Sequence, residues 1–294
     1  KRQIYFYRGG IVGQWRGFGV VIKYVSKFLS EHGIRHHVGA WIEIPDPTFP
    51  QANIHIGHWA FAKPSFKSGK KIGYLFTEGK VKREGIRWMR NFDYIIAPSR
   101  WVKDRIEEIG LHVDEIIPVG IDTRLFKPMN LPKFVDVLSI GIWESEFDNR
   151  KFMQKVGEVA FPFTYHVHTR NTVKYEELPK LYNMSRLYVS LSGCEGFNIP
   201  VLEAMACGLP VVYNDSPATN EIAIGVGVKP VKTYETMGLV SFTIHEPDFK
   251  KIRDEVHKLL RDQKRMKALG QKARGKAENY DYRVTYKRFL EFIK

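Results

Sequence analysis

The sequence predicts an α/β protein built from two parallel-sheet domains. Three observations carry that reading. Strand-like and helix-like patterns alternate from the first residues. The strand candidates are short, nearly continuous apolar runs, as strands covered on both faces require. The alternation breaks at Pro128, Asn130 and Pro132 and then restarts, so the expected domains are 1–129 and 133–278.

The first domain opens with a strand at Gln3–Tyr7 and a glycine-rich turn from Gly9 to Gly19. Val20, Val21, Tyr24, Val25, Phe28 and Leu29 then recur at helical spacing, and Gly33 suits the position after a helix end. His37–Ile44 reads as the next strand, followed by apolar runs at Asn53–Ile56 and Ile72–Phe76. A basic helix is expected over Val81–Phe92, with Val81, Trp88, Met89 and Phe92 on one side. Asp93–Ala97 is a strand, and Ser99 caps a helix running to Ile109. Ile116–Val119 closes the set.

The second domain begins with a strand at Val135–Ile140 and a charged loop, Trp143–Lys151. A helix, a strand at Thr164–His168, a helix at Glu176–Asn183 and a strand at Leu187–Leu191 follow. Two amphipathic stripes end the chain, one through Ile252, Val256 and Leu259, the other through Tyr286, Phe289 and Ile293.

Composition narrows the class. Hydrophobic residues make up 44% and aromatics 13% of 294, enough for buried cores and too much for a disordered chain. No apolar run of about 18 residues is present, which argues against a membrane span. The opening KRQIYFYRGG lacks an apolar leader. Two cysteines, Cys194 and Cys207, form neither a disulfide framework nor a metal site. Together these features predict a cytoplasmic location.

The net charge of +14 is concentrated. Residues 62–105 hold 12 Lys/Arg against four Asp/Glu, and residues 250–294 hold 15 against six. These two blocks exceed the total, so the remainder is slightly acidic. Such blocks are either solvated faces or surfaces for an anionic partner.

The chemistry concentrates between Ser190 and Tyr213, which reads as strand, loop, helix, strand. Pro200 suits a first helical turn, Gly208 a position just past the helix end, and Pro210 bars continuation. The Gly196-Phe197-Asn198 loop thus presents backbone N–H groups at a helix N-terminus, which favours anionic or hydroxyl-rich ligands. Glu195 and Glu203 frame it, and a carboxylate can accept paired hydrogen bonds from vicinal sugar hydroxyls. Spacing alone equally permits two ordinary charges complementing the helix dipole.

This segment, E-G-F-x-x-P-x-x-E-A-M-A-C-G-x-P-V-V over Glu195–Val212, resembles the donor-binding motif of the GT-B glycosyltransferases, specifically retaining family 4 (glycosyl transferases group 1), whose two glutamates are separated by seven residues. Glu177–Tyr182, Asp93–Ser99, Ile116–Asp122 with Phe126–Pro128, and Gly17-Phe18-Gly19 are similar to other parts of the family pattern. The resemblance implies two Rossmann-like domains facing a central cleft, with residues 279–294 crossing back to an acceptor-side domain at 1–129 and a nucleotide-sugar domain at 133–278. It further implies a retaining, metal-independent hexosyl transfer from a UDP- or GDP-sugar to a hydroxyl acceptor, with no cofactor beyond the donor.

By the same resemblance, Glu195 is catalytic and contacts the donor sugar, Glu203 holds the ribose, and Gly196, Phe197 and Asn198 contact the sugar and diphosphate. The family's diphosphate arginine falls at Ile142 here, a departure that makes Arg150 and Lys151 the replacements. His58, with His55 as the alternative register, resembles a functional histidine at a strand end, and Gly17, Gly19 and Glu78 belong to the acceptor side. The basic residues Lys80, Lys82, Arg83, Arg87 and Arg90 suit a lipid-linked or polyanionic acceptor, or peripheral contact with an anionic inner membrane surface. Two rival readings stand beside this one: a basic nucleic-acid-binding protein, for which no recognition motif is present, and a GT-B relative such as a nucleotide-sugar epimerase.

Overall fold

The computed structural model describes residues 3–8, 17–39, 52–62, 69–141, 150–169, 173–238 and 240–293. The turn at Gly9–Arg16, the end of the strand expected to reach Ile44, and Ile142 lie outside them. The chain divides into two compact units, Lys1–Gly120 with Met237–Phe242 and Tyr282–Lys294, and Ile121–Thr236 with Thr243–Asp281.

The first unit holds β1 (Gln3–Arg8), α1 (Gly17–Glu31), β2 (Arg35–Gly39), β3 (Ala52–His58), β4 (Lys70–Phe76), α2 (Ile86–Met89), β5 (Tyr94–Ala97), α3 (Arg100–Glu107) and β6 (Glu115–Ile116). Its six strands form one parallel sheet in the order β2-β1-β3-β4-β5-β6. One core packs Trp59, Leu75, Val81, Met89, Phe92, Val102 and Ile106. The Ser99 hydroxyl accepts from Val102 N–H at 3.3 Å and starts α3, as its sequence position predicts.

The basic helix differs from expectation. Instead of one helix over Val81–Phe92, a 3₁₀ turn at Arg83–Gly85 leads into the single turn of α2. Gly85 lies flat against the Trp59 ring, where any Cβ would overlap it, so this stretch is shaped by close packing. Val81, Met89 and Phe92 enter the core; Trp88 stays half-buried, with the Arg87 guanidinium 4.5 Å from its ring centre.

The second unit holds β7 (Val135–Gly141), α4 (Val156–Ala160), β8 (Tyr165–Thr169), α5 (Leu178–Asn183), β9 (Ser185–Ser190), α6 (Ile199–Ala206), β10 (Val211–Asn214), α7 (Thr219–Ile222), β11 (Val226–Val228), β12 (Lys232–Glu235), β13 (Thr243–Glu246), α8 (Phe249–Arg261) and α9 (Gln263–Glu278). Five strands form a parallel sheet in the order β11-β10-β9-β7-β8, and β12 and β13 pair antiparallel. Val137, Leu187, Val189 and Val212 of the sheet pack with Val156, Ile252, Val256 and Leu259 from α4 and α8.

The changeover differs from the expected break at 129–133. Ile121 bridges to Asp281, whose carboxylate accepts from Thr123 N–H at 3.1 Å and Oγ1 at 2.7 Å. Arg274 donates to the carbonyls of Thr123 and Phe126. These bonds tie residues 121–126 into the second unit. The chain's end, α10 (Tyr282–Thr285) and α11 (Phe289–Ile293), belongs to the first unit. There Tyr282 stacks on Tyr24 of α1 at 5.1 Å and donates to Glu31 at 2.6 Å.

In both units the strand order is that of a doubly wound sheet, with the chain leaving its first strand toward one edge and later returning to the other. The reversal lies between β1 and β3 in one unit and between β7 and β9 in the other. Ligands of open α/β sheets bind at the carboxyl ends of the strands flanking such a reversal.

Helix α6 is seated by α9. A Cβ on Gly270 of α9 would overlap the Gly208 carbonyl, which is backbone and cannot swing aside. Gly270→Ala gains about 1 kcal/mol of helix propensity, yet overpacking costs about 1–3 kcal/mol, and more against a fixed carbonyl. A net loss of about 2 kcal/mol is expected. Thermal unfolding checks it: an unchanged midpoint would contradict this contact.

Candidate functional site

The segment from Ser190 to Tyr213 forms the strand, loop, helix and strand that its pattern predicts. β9 delivers the chain into the loop Leu191–Asn198, α6 follows, and Gly208 adopts φ +75° just past its end. Gly208 N–H donates to the Met205 carbonyl and Leu209 N–H to that of Ala204, a Schellman closure. Cys207 lies immediately after the helix rather than on it; burial pushes its thiol pKa up.

The loop is held from several sides. Gly193 N–H donates to the Arg150 carbonyl at 2.7 Å, and Gly193 O accepts from His245 N–H at 2.8 Å. A side chain at Gly193 would run into the His245 carbonyl and Phe152 ring. Asn214 Nδ2 donates to the carbonyls of Ser192 and His245. Asn198 takes the left-handed conformation, φ 74°, one that asparagine tolerates better than most residues. Its buried side-chain amide donates to Ser190 Oγ at 3.1 Å and Thr219 Oγ1 at 2.9 Å, which pins the turn into α6. Phe197 is buried, edge-on to Tyr280.

The two glutamates occupy different settings. Glu195 is buried, and its Oε1 lies 2.5 Å from Nζ of Lys151. Lys151 follows β7 and Glu195 follows β9, so this pair stands at the reversal point of the second sheet. Glu203 has no exposed surface. Its Oε1 accepts from the Tyr175 hydroxyl at 3.0 Å and its Oε2 from the Tyr182 hydroxyl at 2.9 Å. Phe126 presents its ring to both tyrosines, at 5.3 and 6.1 Å between centres.

Of the residues picked out in the sequence, Lys151 meets Glu195 directly, and Arg150 meets the loop through its backbone. Gly196, Phe197 and Asn198 line the approach to α6. Gly17 and Gly19 lie within the first turn of α1, so the helix starts three residues earlier than the apolar spacing implies. Glu78 is half-buried just after β4.

His58 ends β3, beside the reversal point of the first sheet. Its Nδ1 accepts from Ala60 N–H at 3.2 Å and caps the 3₁₀ turn Trp59–Phe61. His55 lies on the opposite face of the same strand, since side chains alternate. It is buried against Phe92, neither ring nitrogen has a hydrogen-bond partner among the described residues, and burial lowers its pKa from 6.5 to about 4.

Sequence reasoning missed the two tyrosines. Tyr182 lies in the helix already noted before the motif, but nothing in Lys174-Tyr175-Glu176-Glu177 signals a partner for Glu203. Among the described residues, no three His, Cys, Asp or Glu gather as a metal site, and no helix is long and apolar enough to cross a membrane.

Comparison with known proteins meets this geometry. Residues 163–276 match the model of the family Glycosyl transferases group 1, so the second unit carries a domain of that family. The whole chain has the GT-B fold. Sucrose-phosphate synthase from Thermosynechococcus elongatus aligns over 99% of this chain and 98% of its own with a TM-score of 0.71 at 13% identity. HepE of Anabaena, solved in complex with UDP, aligns over 99% of each chain with a TM-score of 0.68 at 12% identity. In sequence, a protein of Sulfolobus islandicus filamentous virus named "Putative glycosyltransferase 41" is 26% identical over 207 residues, 65% of this chain and 62% of the relative.

Proposed function

We propose that the protein is a retaining glycosyltransferase that moves a hexosyl group from a nucleotide-sugar to a hydroxyl acceptor without a metal ion. The observation that carries this reading is the pair of buried carboxylates, Glu195 within the pinned loop Leu191–Asn198 and Glu203 on the helix α6 that follows it. Glu203 takes the ribose hydroxyls, and Glu195 the sugar. The diphosphate lies over the N–H groups at the start of α6, where the helix dipole favours negative charge. Lys151, with Arg150 beside it, supplies the cation.

In the reaction the bond from the sugar anomeric carbon to the diphosphate oxygen breaks, and a bond to the acceptor oxygen forms on the same face. The acceptor proton passes to the leaving diphosphate. Catalysis is then chiefly positioning and stabilisation of the charge that grows on the diphosphate. His58, Glu78, Gly17 and Gly19 belong to the acceptor side, with His58 at the reversal point of the first sheet as the residue to test first. The basic stretch Lys80–Arg90 suits an acceptor that is lipid-linked or polyanionic, or an anionic membrane surface.

Titration calorimetry with UDP, GDP and ADP tests the donor assignment. One of them is expected to bind saturably with chelator present, and Glu203→Ala to weaken it at least about 20-fold, the cost of losing even one hydrogen bond to a charged group. Binding of none, or undiminished binding by the variant, would remove the assignment. The anomeric configuration of the product, read by NMR, tests retention.

A further inference from the structure

The β12–β13 hairpin is an arm with a foothold at each end. Its strands belong to the second unit, and its tip, Met237–Phe242, belongs to the first. The chain therefore crosses between the units at 236–237 and returns at 242–243.

At the base, His245 of β13 holds the loop Leu191–Asn198. Its N–H donates to the Gly193 carbonyl at 2.8 Å, and its own carbonyl accepts from Asn214 Nδ2 at 2.8 Å. A Cβ on Gly193 would come within 2.9 Å of the His245 carbonyl oxygen, so loop and strand meet backbone to backbone. At the tip, the hairpin meets the turn after β4. A Cβ on Gly79 would stand 2.2 Å from the Ser241 carbonyl oxygen and 2.7 Å from Phe242 Cα, both backbone atoms. Only glycine admits that approach. Lys82 Nζ donates to the Gly238 carbonyl. Thr77 Oγ1 donates to the Gly79 carbonyl at 2.8 Å and accepts from Gly79 N–H at 3.3 Å, which closes the turn around Glu78.

Between the footholds the arm is braced across its strands. Thr243 Oγ1 donates to Glu235 at 2.7 Å, and Thr233 Oγ1 lies 2.9 Å from His245 Nδ1. Yet all four residues of β12 are exposed, and a two-stranded hairpin by itself is marginally stable in water. Its order therefore depends on both footholds. Order gained at one lowers the cost of order at the other.

We propose that this hairpin couples the loop bearing Glu195 to the turn bearing Glu78, so that a nucleotide ordering the first also orders the second. The proposal rests on the reading that the loop Leu191–Asn198 takes the nucleotide. It makes the hairpin a positioning element that touches no reacting atom. Such coupling is reciprocal: the nucleotide firms the Glu78 turn, and the docked tip strengthens nucleotide binding.

Hydrogen exchange reads it, with the nucleoside diphosphate that binds best of UDP, GDP and ADP. In the wild type, the nucleotide is expected to slow exchange in peptide 191–198 and, about fivefold, in peptide 77–82. Replacing 236–242 by Asn-Gly joins β12 to β13 through a two-residue turn and removes the tip. In that variant the protection of 77–82 is expected to vanish, that of 191–198 to persist, and affinity to fall about fivefold. Gly79→Ala pushes the tip away while leaving the hairpin whole, and is expected to do the same.

Protection confined to 191–198 in the wild type, or protection of 77–82 that survives both changes, would overturn the coupling alone. If none of the three nucleotides binds, or none protects 191–198, the reading beneath it falls, and the coupling falls with it.

Discussion

Glu195→Ala is expected to lower sugar transfer by about 10²–10³-fold while leaving nucleoside diphosphate binding as tight as in the wild type, or tighter. The size follows from removing one preorganised polar group from the reacting centre. The split between rate and binding follows from the ion pair. Lys151 Nζ lies 2.5 Å from Glu195 Oε1, so the carboxylate competes with a diphosphate for the same ammonium. Removing it releases the cation to the diphosphate and removes the contact to the sugar. Steady-state kinetics with calorimetry on one preparation checks both halves. Loss of nucleotide binding together with activity would show that Glu195 serves chiefly to hold the loop.

The second large effect is on stability in acid. His55 is buried, its ring nitrogens have no partner among the described residues, and burial lowers its pKa from 6.5 to about 4. The folded state therefore resists protonation that the unfolded chain accepts. The contribution is fully present above about pH 6.5, where the ring is neutral in both states. It is lost progressively as pH falls toward about 4, amounting to about 3 kcal/mol over that window. Urea unfolding at pH 7 and pH 4 reads it. His55→Leu is expected to lose about 3 kcal/mol less between those two pH values than the wild type. Parallel losses in the two proteins would show that acid sensitivity resides elsewhere.

The loop Leu191–Asn198 and the helix after it were largely legible from local chemistry. Pro200, Gly208 and Pro210 each act within a few residues of themselves, so the start and stop of α6 follow from covalent geometry and capping. The βα alternation was legible for the same reason, because strands covered on both faces read as apolar runs. Ser99 capped its helix as its type demands.

What was not legible depends on distant neighbours. At Arg83–Gly85 a 3₁₀ turn stands where a regular helix was expected, and there Gly85 packs closely on Trp59, more than 20 residues earlier in the chain. The changeover falls at Gly120–Ile121 because Thr123 and Phe126 find partners at Asp281 and Arg274, about 150 residues later. Spacing offered His55 and His58 as alternatives of register. Strand alternation then put them on opposite faces, one against Phe92 and one capping the turn that follows.

The sequence by itself determined the α/β class, the two-sheet plan and the residues of the loop and helix that bear Glu195 and Glu203. Each of those rests on interactions within a short stretch of chain. Only the tertiary structure decided what those carboxylates touch. β7 and β9 lie side by side in the sheet and bring Lys151 to Glu195 across 44 residues. The packing of α5 and its preceding turn on α6 brings Tyr182 and Tyr175 to Glu203 across 21 and 28. Partners at that separation are chosen by the packing of layers, which no local pattern encodes.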